Sequence, residues 1–172
     1  MQESSITSPS MGVIIQGRYQ VVETLGRGGS STVYLVRDEY AAEPQEGEGG
    51  LYALKELRSQ EEAARVRFAF EEEVLTRLSH ESLPTIYQVF GGDEQQHAFM
   101  LLEYIAGPNL ELLRRRQSHH RFALAQMITI IDPIVEAIAY LHSQQPPIVH
   151  RDIKPANIIV PEAVGKTVLV DF

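Results

Sequence analysis

The chain has no cysteine among its 172 residues. It therefore cannot form a disulfide scaffold, a thiolate metal site or a thiol nucleophile, and this composition fits the reducing cytoplasm. Basic residues are also scarce, with 15 Lys+Arg against 23 Asp+Glu and a formal net charge of −8. Because nucleic-acid binding requires a basic surface, we expect no nucleic-acid partner.

A long uninterrupted hydrophobic run is missing as well. The most apolar stretch, Ala123–Leu141, contains Gln126, Asp132 and Glu136, which make it too polar for a hydrocarbon span of about 20 residues. The first ten residues are polar and lack the basic start and apolar run of a signal peptide. We therefore expect a cytoplasmic chain without a membrane segment.

The remaining composition is that of an ordinary globular protein. Hydrophobic residues make up 44% and charged residues 22% of the sequence, as in typical soluble domains. The length suits one domain or one and a fraction. A chain of this size can bury roughly two-thirds of its unfolded surface, so it needs no disulfide or metal to hold a core.

The first part of the chain has the pattern of an antiparallel sheet. Strands are predicted where β-branched and aromatic residues are enriched between glycine- and proline-containing turns. A capping box formed by Ser59 and Glu62 predicts a helix that runs to about Leu78. The predicted strands are Tyr19–Leu25, Thr32–Arg37, Leu51–Leu57, Thr85–Phe90 and Ala98–Glu103.

The second part is predicted to be mainly helical. It begins after Gly107-Pro108, which interrupts the regular secondary structure, with a short helix over Leu110–Arg116. Apolar residues spaced by three and four then predict a long helix over 123–142, followed by short strands at 158–160 and 167–170. The patterns divide the chain into a disordered or loosely attached N-terminus (1–16), a sheet-rich part (17–104) and a helical part (105–172).

Two features of the first part could bind phosphate, and each also has an ordinary structural explanation. Gly26, Gly28 and Gly29 lie in a hairpin, where a glycine-rich loop lets backbone N–H groups approach a phosphate. Such a hairpin can equally be only a turn. Lys55 lies on an apolar strand, where a lysine is either solvated at an edge or directed at phosphates and held by a carboxylate.

The segment His150–Asn157, with the sequence His-Arg-Asp-Ile-Lys-Pro-Ala-Asn, is much more specific. It places an acid, two cations and an amide in a non-periodic loop before an apolar strand. Asp152 can accept a proton from a hydroxyl, Lys154 can neutralise a transferring phosphoryl group, and Asn157 can hold a metal ion. Asp171 follows the next apolar strand and offers a second metal ligand.

In this order along the chain, the segments resemble the motifs of the protein kinase family. The resemblance runs from about Arg18 to the last residue. Lys154 is the form found in serine/threonine kinases, and the glycine loop is similar to that of bacterial eukaryotic-like enzymes. The matching segments are Gly26–Val33 (phosphate-covering loop), Tyr52–Lys55 (lysine strand), Phe68–Glu71 (helix glutamate), Leu102–Ile105 (gatekeeper and hinge), His150–Asn157 (catalytic loop) and Asp171-Phe172 (start of Asp-Phe-Gly).

The resemblance implies an α+β, two-lobed protein-kinase-like fold, with a five-stranded antiparallel N-lobe and one helix over 17–104, and the hinge and an incomplete helical C-lobe over 105–172. It implies ATP- and Mg²⁺-dependent phosphoryl transfer to serine or threonine of protein substrates. The implied catalytic residues are Asp152, Lys154, Lys55 and Glu71, and the implied metal ligands are Asn157 and Asp171. The implied nucleotide-binding residues are Leu25, Gly26, Gly28, Gly29, Val33, Ala53, Lys55, Leu102, Glu103, Ile105, Asn109 and Ile159.

Two departures from the family pattern limit these implications. Ser31 replaces the third glycine of the phosphate loop, for which we expect at most a modest loss. The sequence also stops at Phe172, before the activation loop and peptide-binding surface, so we expect a truncated reading frame or expressed fragment that is inactive by itself. Two alternatives stay open: a non-catalytic nucleotide-binding or scaffold module, and a small-molecule kinase of the aminoglycoside type, which usually lacks Arg151 and the Lys154-Pro155 pair. The oligomeric state is also open.

Helical geometry distinguishes the adjacent glutamates of the predicted helix. At about 100° per residue, Glu71 falls within roughly 10° of the centre of the apolar face, and Glu73 falls nearly opposite. A carboxylate on an apolar face is costly to bury unless a cation meets it, and Lys55 is the available cation. We therefore expect Glu71 to pair with Lys55 and Glu73 to lie in solvent.

Overall fold

A computed structural model describes residues 9–28, 31–40, 50–57, 65–66, 69, 73, 76–91, 98–161 and 165–171. The chain divides into two compact units. The first, named the sheet unit, consists of Met1–Val66 and Tyr87–Tyr104. The second, named the helical unit, consists of Arg67–Ile86 and Ile105–Phe172.

The described part of the first half forms a six-stranded sheet in the order β1-β2-β3-β4-β6-β5. The pairs β1–β2, β2–β3, β3–β4 and β4–β6 are antiparallel. The strands are β1 (Ile14–Ile15), β2 (Tyr19–Arg27), β3 (Ser31–Asp38), β4 (Leu51–Leu57), β5 (Ile86–Gly91) and β6 (Ala98–Glu103). All five predicted strands are confirmed, and β4 and β6 have the predicted bounds.

The sheet begins earlier than the sequence predicts. Strand β1 pairs with the first two residues of β2, although the pattern of residues 1–16 predicts a disordered or loosely attached segment. Gln16 and Gly17 both have positive φ, which reverses the chain within three residues and lets so short a strand pair. Ile15 is buried in the core of the sheet unit. A strand of two residues has too little alternation for a sequence pattern to detect.

The sheet unit is held by an aromatic core and by an ion pair at one hairpin. The rings of Tyr19 and Phe90 stack with centroids 5.6 Å apart, and fully buried Tyr34 lies in the same core. At the end of β3, the Arg18 guanidinium donates two hydrogen bonds to the Asp38 carboxylate, at 2.8 and 2.7 Å. This two-point contact closes the β2–β3 hairpin with defined geometry.

The helix predicted between Ser59 and Leu78 is described only in part. The four described residues from 65 to 73 are helical, and residues 76–77 form a turn. Glu73 is exposed and pairs with Arg77 at 2.9 Å, which confirms its predicted solvent-facing position. Glu71 lies outside the described residues.

The helical unit contains both helices that the sequence predicts for the second part of the chain. Helix α1 spans Leu110–Arg116, and Asn109 is its N-cap. The Asn109 Oδ1 accepts a hydrogen bond from the Leu112 N–H at 2.8 Å and so satisfies one of the free donors of the first turn. Helix α2 (Leu124–His142) continues through Pro133. The two strands that follow are shorter than predicted, with β7 at Ile158–Ile159 and β8 at Val168–Leu169.

Helix α2 buries one face only. Ile134, Ala137 and Leu141 recur at spacings of three and four and pack into the core of the helical unit, as an amphipathic helix requires. On another face, Leu124 is 77% exposed and Ile128 is also exposed. By length and composition alone α2 could cross a membrane, but its buried face packs as a core helix of this unit.

The β7–β8 hairpin is tied to two other segments of the helical unit. The Leu169 N–H donates to the carbonyl of Ser82 at 2.9 Å. Between the two strands, the Lys166 ammonium pairs with Glu81 at 2.5 Å and with Glu136 of α2 at 3.1 Å. The hairpin therefore has a defined position relative to α2, and with it the residues at the ends of β7 and β8.

Candidate functional site

The register of the sheet brings four predicted nucleotide-binding residues onto one face. Lys55 lies opposite Val33 of β3, and Ala53 lies opposite Leu102 of β6. Side chains directly opposite each other in antiparallel strands point to the same face, as do residues two apart along a strand. Val33, Ala53, Lys55 and Leu102 therefore share one face of β3, β4 and β6.

Lys55 is buried on this face of the sheet. It is 6% exposed, in the middle of β4 between two paired strands. A buried ammonium loses most of its hydration, so it binds an anion more strongly than a solvated lysine does. Its burial excludes the alternative of a solvated edge lysine. The predicted partner, Glu71, lies outside the described residues.

The glycine loop closes tightly between β2 and β3. The Gly28 N–H donates to the Ser31 carbonyl at 2.8 Å, and Gly26 lies opposite Val33. Among the described residues, a methyl group added at Gly26 would meet no atom within 4 Å, and one at Gly28 would first meet the Ser31 carbonyl at 3.6 Å. Packing against the described residues therefore does not require these glycines, whereas close approach of a ligand to the backbone would. Gly29 lies outside the described residues, and Leu25 is exposed.

A close backbone contact fixes the segment that follows β6. Glu103 is the last residue of that strand, and Ile105 and Asn109 are partly buried beyond it. Gly107 has φ 150°, and a Cβ there would lie 2.3 Å from the Val160 carbonyl oxygen.

The residues next to Gly107 and Val160 are also in contact with each other. The Val160 N–H donates to the Pro108 carbonyl at 3.0 Å, and Asn109 forms a β-bridge with Ile159. Two predicted nucleotide-binding residues, Asn109 and Ile159, are thereby adjacent. The Asn109 side chain caps α1 through Oδ1.

The catalytic-loop residues converge on the carboxylate of Asp152. The Lys154 ammonium lies 2.6 Å from Oδ2 of Asp152. The Asn157 amide donates through Nδ2 to the same Oδ2 at 3.0 Å and to the Asp152 carbonyl at 2.9 Å. Asp152 and Lys154 have side chains that are 50% and 49% exposed. The sequence spacing thus places three of the predicted residues in one hydrogen-bonded group.

The electrostatics of this group keep Asp152 ionised. The hydrogen bond from Lys154 is the main cause that lowers the pKa of Asp152, and the bond from Asn157 lowers it further. In return, Asp152 raises the pKa of Lys154. Burial lowers the pKa of His150, against the opposing effect of its hydrogen bond with the Val170 backbone. Near neutral pH the loop therefore presents an ionised carboxylate beside an ammonium group.

The two predicted metal ligands lie at the open end of the β7–β8 hairpin. Asn157 precedes β7, and its carbonyl accepts a hydrogen bond from the Val170 N–H at 2.9 Å. Asp171 is the next residue after Val170 and is exposed, with φ 66°. The Asn157 Nδ2 is directed at Asp152, so its Oδ1 faces away from that carboxylate.

An amide oxygen and a carboxylate are hard oxygen donors of the kind that Mg²⁺ takes. Among the described residues no group of three or more His, Cys, Asp or Glu side chains could hold a metal. A site with few protein ligands suits Mg²⁺, which keeps several waters and is otherwise bound by substrate phosphates. Asn157 and Asp171 therefore fit the implied ion.

The family whose sequence model matches residues 19–172 is described as the protein kinase domain. The chain belongs to the protein kinase family. The probable serine/threonine-protein kinase YbdM of Bacillus subtilis is 34% identical to this kinase chain over 166 residues, which cover 94% of the chain and 59% of YbdM. Serine/threonine-protein kinase C of Synechocystis is 31% identical and covers 92% of the chain, which matches 29% of that protein. The kinase chain thus spans less than two thirds of the length of these relatives.

A solved structure confirms the kinase fold. The apo form of PpkA-294 superposes with a TM-score of 0.73 over 95% of this chain and 61% of that one, at 23% sequence identity. The sequence-based prediction of a two-lobed kinase fold is therefore confirmed, with the additional strand β1. At this identity the likeness concerns the fold alone.

Sequence reasoning missed the structural role of Gly107 in this kinase chain. The dipeptide Gly107-Pro108 predicts only an interruption of regular secondary structure, and the structure places a close backbone contact with Val160 there. It also missed the left-handed backbone of Arg151, at φ 66°, and of Asp171. Arginine gives no local signal for a positive φ, and aspartate, although enriched at positive φ, gives a signal too weak to identify a single position.

Proposed function

We propose that this chain carries the ATP-binding and phosphoryl-transfer residues of a protein kinase that acts on serine or threonine. The observation that supports this most is the hydrogen-bonded group of Asp152, Lys154 and Asn157. An ionised carboxylate beside a cation can orient a hydroxyl and take its proton while the cation offsets charge on the phosphoryl group. A structural loop has no need to direct an ammonium and an amide at one oxygen atom of a carboxylate.

The sheet unit contributes the binding of the phosphoryl donor in this proposal. Lys55 contacts the phosphates of ATP from the face that it shares with Val33, Ala53 and Leu102. The apolar members of that face, together with Leu25, contact the adenosine part, and the Gly26–Gly28 backbone covers the phosphates. The backbone of Glu103 and Ile105 is proposed to bind the adenine, and Asn109 and Ile159 are the nucleotide contacts predicted within the helical unit.

Mg²⁺, when bound, supplies positive charge that neutralises the phosphate oxygens. The chain's own part in this is to present Asn157 Oδ1 and the Asp171 carboxylate at neighbouring positions. The hydrogen bond from the Val170 N–H to Asn157 keeps these two ligands in register. Glu71 is proposed to fix Lys55, as its position on the apolar face of its helix predicts.

The acceptor is proposed to be a serine or threonine hydroxyl of a protein substrate. Lys154, two residues after Asp152, supports this assignment, because this lysine is the serine/threonine form of the loop. The names of the relatives from Bacillus subtilis and Synechocystis agree with it. The chain alone supports the nucleotide-binding part of this function, and turnover is proposed for the whole natural protein that contains it.

The test is phosphoryl transfer from ATP to a serine-containing protein by the whole natural protein, compared with its Asp152→Asn variant. We expect the variant to be slower by about 10²- to 10⁴-fold, the usual contribution of a positioned acid or base. Asp132→Asn, which changes an exposed aspartate of α2, is the matched control and should keep full activity.

Two results would separate this proposal from the alternatives. Transfer that is equally fast in the Asp152→Asn variant would contradict the role of the loop. ATP binding without any transfer by the whole wild-type protein would instead favour a non-catalytic nucleotide-binding module.

A further inference from the structure

A strongly basic turn interrupts this acidic chain between α1 and α2. Residues 114–121 have the sequence Arg-Arg-Arg-Gln-Ser-His-His-Arg, with four arginines, two histidines and no acid, in a chain whose net charge is −8. We name this segment the basic turn. The basic turn contains none of the proposed nucleotide contacts and lies outside the catalytic loop.

A single carboxylate only partly neutralises the basic turn. Glu111, one turn earlier in α1, accepts hydrogen bonds from Arg114 at 3.0 and 3.1 Å and from Arg115 at 3.0 Å. The hydrogen bond from Arg114 is the main cause that lowers the pKa of Glu111 to about 2, so this partner stays ionised. Arg116 and Arg121 are exposed and make no ion pair with any described residue. The turn therefore keeps a positive charge.

Ser118 presents a hydroxyl in the middle of this charge. It is exposed and begins a single 3₁₀ turn, Ser118–His120, held by a hydrogen bond from the His120 N–H to the Gln117 carbonyl at 3.0 Å. His119 and His120 both have a left-handed backbone, at φ 59° and 54°, which is strained for residues with a side chain. Release of that strain would favour opening of this short turn into the extended form in which enzymes bind peptides.

We propose that Ser118 is a phosphorylation site that a second copy of this protein modifies in trans, an inference that rests on the proposed kinase function. Arg115 and Arg116 precede the hydroxyl by three and two residues. Kinases select substrates by charge pattern, and although both copies carry a net negative charge, a local basic segment is attracted to acidic groups on the surface of the enzyme during encounter. The basic turn is such a segment on the protein's own surface.

The chemical step balances with ATP as the only co-reactant. The Ser118 Oγ attacks the γ-phosphorus of ATP bound to the other copy, and a new O–P bond forms. The bond from that phosphorus to the β,γ-bridging oxygen breaks, and ADP leaves with the electron pair. The hydroxyl proton passes to the Asp152 carboxylate of the copy that acts as the enzyme and then to water.

The product also fits the site electrostatically. A phosphoserine carries about −1.5 to −2 charges near pH 7 and three acceptor oxygens, and opposite an arginine cluster it forms charge-assisted hydrogen bonds. Arg116 and Arg121 are the nearest exposed cations in sequence, and Arg115 can exchange Glu111 for the phosphate. Modification would therefore reverse the local charge and reorganise the contacts at the end of α1.

The test uses the whole natural protein as the enzyme and its Asp152→Asn variant as an acceptor that cannot label itself. After incubation with ATP and Mg²⁺, mass spectrometry of the acceptor should place phosphate on Ser118 and not on Ser143, an exposed serine with no arginine among the residues just before it. Ser118→Ala in the acceptor should remove the signal. Changing Arg115 and Arg116 to Gln should lower it at least about tenfold, whereas Arg37→Gln, on β3, should not.

A second acceptor, an unrelated serine peptide with two arginines, measures kinase activity independently. Labelled peptide with unlabelled Ser118 would overturn the inference and leave the proposed function standing. Absence of label on both acceptors would contradict the proposed function, and the inference with it. Equal labelling of Ser118 after the two arginine changes would overturn recognition through the basic turn.

Discussion

The sheet unit and the helical unit hold their site residues in opposite ways. In the sheet unit, Lys55 is 6% exposed and lies in the middle of a strand that is paired on both sides. In the helical unit, Asp152 and Lys154 are about half exposed on a loop and are positioned by hydrogen bonds to each other and to Asn157. A long-range sheet register fixes the lysine, whereas contacts within six residues fix the carboxylate.

The difference matches the role that the proposed function gives to each group. A lysine that grips phosphates benefits from low hydration, and burial in a sheet supplies that. A carboxylate that accepts a proton from an incoming substrate must stay accessible, so its order has to come from local hydrogen bonds instead. The comparison predicts that substitutions of the site residues in the two units affect different properties.

The largest effects on stability are expected in the two hydrophobic cores. Leu54 in the sheet unit and Leu141 in the helical unit are both fully buried, so Leu54→Ala and Leu141→Ala should each lower the free energy of unfolding by about 2–5 kcal/mol. Urea unfolding monitored by circular dichroism measures this. Leu124→Ala, at an exposed position of α2, should change it by less than about 0.5 kcal/mol. A loss at Leu124 as large as at Leu141 would show that the face of α2 is assigned wrongly.

A smaller contrast is expected between two glycines. Gly107→Ala places a methyl group 2.3 Å from the Val160 carbonyl oxygen at a positive φ, and the backbone has to move. We expect a loss of about 1–3 kcal/mol in the free energy of unfolding. Gly26→Ala in β2 meets no atom of the described residues within 4 Å and should cost less than about 1 kcal/mol. The reverse order of the two losses would contradict the backbone contact described here.

The smallest of the stability effects is the pH dependence contributed by the Arg18–Asp38 ion pair of the sheet unit. The hydrogen bonds from Arg18 lower the pKa of Asp38 below its ordinary value of 3.8. A carboxylate with a lowered folded pKa stabilises the protein above its unfolded pKa, and this contribution is lost as the pH falls through the folded pKa. Unfolding midpoints measured from pH 6 to pH 3 should therefore fall less steeply in Asp38→Asn than in the wild type. Asp132→Asn is the control, and parallel curves for wild type and Asp38→Asn would exclude the effect.

The sequence could predict the sheet unit because its signals are local. Tyr19, Thr32 and Leu51 each begin a run rich in β-branched, aromatic or aliphatic residues, and glycines separate the runs. The grouping of the site residues in the loop could be predicted equally well, because Asp152, Lys154 and Asn157 are close in sequence. Their hydrogen bonds in the structure follow from that short spacing.

What the sequence could not predict depends on distant parts of the chain. The requirement for glycine at position 107 comes from Val160, 53 residues later. The exposed side of α2 also carries apolar residues, among them Leu124, Ile128 and Val135, so periodicity alone could not distinguish Leu124 from Leu141. The common face of Val33, Lys55 and Leu102 depends on the strand order, in which β4 pairs with β6 rather than with β5.

The central claim is that the sheet unit grips the nucleotide while the loop of the helical unit acts on the acceptor. The most direct test is calorimetric titration of the wild-type chain, Lys55→Met and Asp152→Asn with ATP and with adenosine, in the presence of Mg²⁺. We predict that Lys55→Met weakens ATP binding roughly tenfold, the value of one hydrogen bond between charged groups, and leaves adenosine binding unchanged. Asp152→Asn should bind both ligands as the wild type does. Equal weakening of ATP binding in the two variants, or no change in Lys55→Met, would contradict this division.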